Sequence, residues 1–326
     1  MNRLNFAVRT IAIGLGLAAS NSFAAEGYPT QPVKMIVGYA PGGSVDTFAR
    51  IVAPKLGAEL GQPIVIENVP GAGGIIAVTR AVNAKPDGYT ILMGIVSDVV
   101  IAPLVQNSAK YTYKDLTAIA PLGISGVGLV ANPQLGIRTF GDLIRRAKAE
   151  PGKLTYGATG VGSLPAIAME SFKKTTGADI TFIPYASASK IATDVIGGNV
   201  DLAISGLPAL LEFIKSGRVT PIGVMSHERD IGNLEMPSAG ETPELKGMDY
   251  YFWTGIFAPG ETPEPVVKKL NAAFARVMAQ PDVQERFKAL GVKVSPPTSP
   301  GQFGQFVANS HQQWATAIQE AGVPKQ

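Results

Sequence analysis

Six short segments hold the residue types that could do chemistry: Pro41-Gly42-Gly43-Ser44, Gly73-Gly74, Ser97, Thr159-Gly160-Val161-Gly162-Ser163, Ser187-Ala188-Ser189 and Ser205. All are uncharged donors, and none contains lysine or arginine. Glycine lets a backbone approach a ligand closely, and serine or threonine adds a hydroxyl. At the amino end of a helix, where the first N–H groups lack backbone partners, such residues form an anion site. Any one of them serves equally well as an ordinary helix cap. Their recurrence at equivalent places favours a ligand cleft that holds a carboxylate without an arginine.

The catalytic inventory is thin. His227 and His311 are the two histidines, one in an expected loop and one on a polar helix face. The chain has no Gly-x-Ser-x-Gly elbow, phosphate loop or His-Glu-x-x-His. Gly160-Val161-Gly162 lacks the remaining glycine of a dinucleotide fingerprint. No His, Asp and Glu cluster suggests a metal, and neither metal nor cofactor is expected. The absence of cysteine excludes disulfides, thiolate chemistry and a lipidated N-terminal cysteine.

The elements that must position these loops alternate. Strands are expected over Val33–Tyr39, Ile64–Asn68, Tyr89–Ile95, Leu154–Gly157, Asp179–Tyr185, Asp201–Ile204 and Val219–Met225. The helix expected over Ser44–Leu60 has Val45, Phe48, Ile51, Val52, Leu56 and Leu60 at helical spacing. Pro54 is expected to kink or break it. Ser44 can cap this helix, Ser97-Asp98 the one after the third strand, and Thr262 the one opened by Pro263. Long apolar segments, Thr117–Ala131 and Tyr250–Ala258, read as crossings out of a first lobe and back. The fold class is therefore α/β in two lobes: residues 25–125 with 252–326, and residues 126–251. Ligands bind such sheets at strand carboxyl ends.

The 326 residues are 46% hydrophobic and 16% charged, enough for sizeable cores. Arg3 and Arg9, an apolar run Thr10–Ala19 and Ser22-Phe23-Ala24 read as a secretory leader, residues 1–24, cleaved after Ala24. Without those two arginines, 26 basic residues balance 25 acidic ones, so nucleic acid is not an expected partner. An exported chain without cysteine points to a bacterial periplasm.

At the donor loops the sequence resembles a known family. Val33-Lys-Met-Ile-Val-Gly-Tyr-Ala-Pro-Gly-Gly-Ser-Val-Asp-Thr-Phe-Ala-Arg50 is similar to the opening of the solute receptors of tripartite tricarboxylate transporters, the TctC-type or Bug family. Further matches follow in order: Glu67-Asn68-x-Pro70-Gly-Ala-Gly-Gly74, Lys85-Pro-Asp-Gly-Tyr-Thr90, Pro151-Gly-Lys-Leu-Thr-Tyr156, Gly160-x-Gly-Ser163, Gly197-Gly-Asn-Val-Asp-Leu202, Leu207-Pro208 and Ile214-Lys-Ser-Gly217. The likeness spans nearly the whole chain after the leader.

The resemblance implies a Venus-flytrap fold of the type II periplasmic binding class. It implies carboxylate ligands held from both lobes, and large and small membrane subunits as partners; the receptor is expected to be a monomer. Implied first-lobe contacts are Tyr39, Gly42, Gly43, Ser44 and Ser97, with Asp46 bracing the loop. Implied second-lobe contacts are Thr159, Gly162, Ser163 and Tyr185-Ala186-Ser187. Where many relatives have histidine, Tyr-Lys-Gly and aspartate, this chain has Ala166, Tyr185-Ala186-Ser187 and Ser205. Unless Ala166 and Ala186 face away, the cleft has lost charge, which favours an aromatic or aliphatic dicarboxylate such as terephthalate over citrate. A non-enzymatic receptor feeding a permease is the leading reading. A receptor of the same fold reporting to a signalling partner is the alternative, and a periplasmic hydrolase is third.

Overall fold

In the computed structural model, the described residues are 27–159, 162–185, 188–229 and 236–325. The expected leader and its cleavage point lie outside them. The first segment runs β1 (Val33–Val37), α1 (Ser44–Leu60), β2 (Ile64–Asn68), α2 (Ile75–Val82) and β3 (Thr90–Ile95). A π-helical turn, Ser97–Ile101, then leads into the short α3 (Ala102–Val105) and the 16-residue β4 (Leu116–Ala131). Next come α4 (Phe140–Ala149), β5 (Thr155–Ala158), α5 (Leu164–Thr176), β6 (Thr181–Pro184), α6 (Ala188–Ile196), β7 (Leu202–Gly206), α7 (Leu207–Lys215) and β8 (Thr220–Val224). The chain closes with β9 (Tyr251–Pro259), α8 (Glu264–Met278), α9 (Pro281–Ala289), β10 (Lys293–Val294) and α10 (Pro300–Ala321).

The strands lie in the order β2-β1-β3-β9-β4-β7-β5-β6. β1 is parallel to β2 and β3, and β5 is parallel to β6 and β7. Helices cover both faces of such sheets, which is why β3 reads as an unbroken apolar run, buried from Ile91 to Ile95. β4 joins the two groups. Its residues Leu116–Gly126 pair with β9, and Val127–Ala131 pair with β7. The protein has the two-lobed, type II periplasmic binding fold.

Strand direction decides where the loops go. β3 and β4 are both antiparallel to β9, so they share a direction, whereas β7 opposes β4. β4 climbs from one sheet to the other. The carboxyl ends of β1, β2 and β3 therefore point toward the second sheet, and those of β5, β6 and β7 point back toward the first.

Two large cores and two smaller clusters hold this frame among the described residues. One packs Met35, Phe48, Leu56, Phe274 and Phe287 around the first sheet. The larger includes Phe172 from α5, Trp253 from β9, and Phe303 and Trp314 from α10. Trp253 donates through Nε1 to Ser310 Oγ at 2.9 Å, and Tyr250 shares a 2.9 Å bond with Ser171.

Two local expectations are corrected. Of the kink or break expected at Pro54, the break does not occur: α1 runs from Ser44 to Leu60. The carbonyl that loses its partner belongs to Arg50, an exposed residue. Thr262 does not cap α8. Pro263 holds the N-cap position, and the buried Thr262 hydroxyl donates to the Pro259 carbonyl at 2.8 Å.

Candidate ligand site

The loop after β1 is built as a tight turn. The Gly43 N–H donates to the Ala40 carbonyl at 3.2 Å, with Pro41 second and Gly42 third at φ +83°. Proline followed by a positive-φ glycine is the signature of a type II turn. The turn is braced from beneath by Asp46, only 1% exposed. Its Oδ2 accepts from the Gly42 N–H and Arg50 Nε, each at 2.8 Å, and its Oδ1 accepts from Asn68 Nδ2 at 2.9 Å. Asn68 also donates to the Tyr39 carbonyl at 3.0 Å, tying the end of β2 to the same loop. The Arg50 hydrogen bond, with those from Gly42 and Asn68, holds the Asp46 carboxyl down at about 2 against the opposing cost of burial. The brace is ionised under all ordinary conditions.

This geometry changes what the glycines do. The Gly42 and Gly43 amides are already bonded, to Asp46 and Ala40. The amides that α1 presents are those of its first turn, beginning at Ser44. Gly43, not Ser44, is the N-cap residue, and it makes no side-chain cap. The Ser44 side chain is exposed at the first helical position.

The end of β2 lies beside this turn. Gly71, Ala72, Gly73 and Gly74 have φ of +139°, +46°, +64° and +96° in succession. Ala72 is a non-glycine residue held in the left-handed region. The Tyr39 hydroxyl donates to the Gly73 carbonyl over a long 3.5 Å. A Cβ on Gly38 would stand 3.1 Å from the Gly74 Cα, so the two loops touch. After β3, Ser97 is partly exposed and opens the π-helical turn. The expected Ser97-Asp98 cap is not formed. Asp98 is fully buried, and its Oδ1 instead takes the Ile95 N–H behind it at 2.8 Å.

The second-sheet loops gather in the same way. Ser163 caps α5, its Oγ accepting from the Ala166 N–H at 3.4 Å. Pro165 has no N–H, so the first-turn amide left for a ligand is that of Leu164. Gly162 has φ +78°, and a Cβ there would stand 3.2 Å from Val105 Cγ2, across the gap. Thr159 is partly exposed at the end of β5. The Tyr185 ring packs over Gly157, and its hydroxyl donates to Asp194 at 3.0 Å. Burial and that carboxylate raise the Tyr185 phenol, so it stays neutral and tied to α6. Ser205 is 6% exposed on β7, opposite Gly128. Ala186 and Ser187 lie outside the described residues.

The two groups therefore face one another, and the Gly162 loop reaches Val105 of α3 on the other side. Ala166 is 5% exposed within the larger core, so its small side chain reflects packing beneath α5. The described histidines are elsewhere: His227 is exposed, and His311 packs against Tyr113 in a tilted arrangement with ring centroids 4.9 Å apart. Among the described residues, no His, Asp and Glu group could hold a metal, and no helix is long and apolar enough to cross a membrane. In the sequence Asp98 reads as a cap because a single aspartate after an apolar strand has that pattern. Its burial, with Gly74 packed on it, is visible only in the fold.

Comparison with known proteins completes the picture. The family model described as the tripartite tricarboxylate transporter family receptor, TctC, matches residues 48–323. The chain belongs to that family. It is 33% identical to BugT of Bordetella pertussis over 99% of this chain and 98% of that protein. Among solved structures, Rpa4515 of R. palustris, determined with adipate, superposes with a TM-score of 0.81 at 27% identity, covering 90% of this chain and 98% of that one. MatC from Rhodopseudomonas palustris, with bound malate, superposes with a TM-score of 0.78 at 31% identity, covering 89% of this chain and 100% of that one. The family is one of receptors.

Proposed function

We propose that this TctC-family chain is a periplasmic receptor that closes on a small organic dicarboxylate and delivers it to the membrane subunits of a tripartite transporter. The observation that carries the reading is the opposition of two neutral donor loop groups. Each includes a helix amino end, and neither contributes a lysine or arginine. Each helix end contributes about 0.3–1 kcal/mol toward an anion, and more when partly buried. One carboxylate at Ser44 and one at Ser163 suit a ligand with acid groups at both ends. Relatives solved with adipate and malate support the diacid class.

In this reading Tyr39, Gly42, Gly43, Ser44 and Ser97 line one wall, and Thr159, Gly162, Ser163, Tyr185, Ala186, Ser187 and Ser205 the other. The lobes comprise residues 25–125 with 252–326, and residues 126–251, after loss of the leader at Ala24. The lack of a cationic side chain favours adipate or terephthalate over citrate, because a third buried carboxylate would have no partner. Calorimetry with terephthalate, benzoate, adipate, succinate and citrate tests this. The diacids of low charge are expected to bind. Tight citrate binding with silence from the rest would overturn it.

A further inference from the structure

Asp98 is a buried acid beside the donor loops, and nothing in the receptor reading uses it. It sits at the carboxyl end of β3 with 0% exposure. Oδ1 is bonded to the Ile95 N–H, while Oδ2 is buried without a hydrogen-bond partner among the described residues. No salt bridge reaches it among those residues. Gly74 packs directly on it: a Cβ there would stand 2.9 Å from Oδ2.

The titratable groups facing Asp98 are the phenols of Tyr39 and Tyr111. The Tyr111 hydroxyl is committed, donating to the Asp98 main-chain carbonyl at 2.6 Å. The Tyr39 hydroxyl is not, since its bond to Gly73 is 3.5 Å long. A hydroxyl has one proton to give. If Asp98 is ionised, the Tyr39 proton is drawn to it. If Asp98 carries a proton, it donates to the Tyr39 oxygen and frees the Tyr39 hydrogen for a ligand carboxylate.

We propose that Asp98 is a proton-linked positioning residue: as a ligand carboxylate settles against Tyr39 and the first turn of α1, Asp98 takes up one proton from solvent on Oδ2 and turns the Tyr39 hydroxyl toward the ligand. Two negative charges sharing a buried site without a cation raise the proton affinity of the one that can accept. Burial already pushes the Asp98 carboxyl up to about 7, with the Ile95 N–H and Tyr39 acting against it. Uptake is therefore accessible near neutral pH. Where Asp98 is ionised in the free protein and protonated in the complex, affinity falls about tenfold per pH unit as pH rises.

The inference rests on the carboxylate-receptor reading for its ligand half, and the test has two arms. Without ligand, urea unfolding of the wild type is compared with Asp98→Asn between about pH 5 and 9. The wild type should lose stability relative to the variant as pH rises through neutrality. A constant difference overturns the proposal. Should the variant not fold, the infrared band of a buried protonated carboxyl in the wild type must fade over the same range, and its absence is equally decisive. With ligand, adipate is titrated by calorimetry in Tris and in imidazole. Heats that differ by the buffers' ionisation enthalpies show uptake of about half a proton or more. Tyr39→Phe should bind more weakly and take up fewer protons. Equal heats in the two buffers overturn the coupling. Silence of all five acids overturns the receptor reading and with it the ligand half, whatever the ligand-free arm gives.

Discussion

Two buried aspartates of the first lobe are held at opposite ends of their titration range by what surrounds them. Asp46 has an arginine, an asparagine and a backbone amide aimed at it. Asp98 has backbone amides, that of Ile95 at 2.8 Å, and no salt bridge among the described residues. Asp46 is lowered in the folded state, so its contribution is complete above the ordinary aspartate range and is lost as pH falls toward about 2. Asp98 is raised, so its contribution is complete below the ordinary range and is lost as pH rises through about 7. Asp46→Asn should cost about 1–3 kcal/mol at neutral pH, the scale of a broken buried hydrogen-bond set. The exposed Arg50 end of the pair is discounted for solvent screening. Urea midpoints of variant and wild type should converge below about pH 4, where the wild-type carboxylate begins to lose its advantage. A gap that persists unchanged into acid would show that shape, not charge, braces the Gly42 turn.

At the scale of elements, the loops separate into those limited by backbone conformation and those limited also by space. A Cβ on Gly42 would meet nothing within 4 Å, so Gly42→Ala is opposed only by its φ of +83°, about 1 kcal/mol. A Cβ on Gly74 would meet Asp98 Cβ at 2.7 Å as well as a φ of +96°, and Gly74→Ala should cost about 2–4 kcal/mol. Thermal melts of the pair give the order directly, and equal losses would refute the packing of Gly74 on Asp98. The two serines divide similarly. Ser163→Ala removes a helix cap worth about 1 kcal/mol and should also weaken ligand binding. Ser44→Ala removes no cap, so its expected loss of about 0.5–2 kcal/mol should appear in ligand affinity with little change in melting temperature. Loss of melting temperature without loss of affinity would take Ser44 out of the site. Much of this was legible in the chain. The spacing of Val45, Phe48, Ile51, Val52, Leu56 and Leu60 gave α1 its limits, and all six are buried. What the pattern could not give was three-dimensional: that Asp46 takes the Gly42 amide, that Gly43 holds the cap position, and that Tyr185 turns its hydroxyl to Asp194. Each depends on which neighbour the fold brings within 3 Å, and periodicity carries no information about that.

The whole molecule is two sheets joined by β4 and β9, and that joint sets how it can move. β4 changes partners between Gly126 and Val127, and β9 begins opposite the same point, with Tyr251 against Gly126. Rotation about the segments 124–128 and 250–254 would separate the loop groups without breaking either sheet, as in hinge closure of two-domain receptors. Contacts on the α10 side bound that motion. Tyr250 is bonded to Ser171, Trp253 to Ser310, and Lys174 to the Glu320 carbonyl, so α10 links the joint to α5. Across the gap, Val105 of α3 and Gly162 meet through small apolar groups. The structure thus has α3 against the Gly162 loop, and rotation at the joint would part them. Small-angle scattering of the ligand-free protein should give a radius of gyration larger than that calculated from this structure, falling to the calculated value with saturating diacid. Ser171→Ala, which removes the Tyr250 bond but leaves every donor loop intact, should widen the ligand-free ensemble further and weaken ligand binding, because more of the closing free energy must then come from the ligand. A radius that is unchanged by ligand, in a sample shown by calorimetry to bind it, would exclude rotation at this joint as the step that captures the diacid.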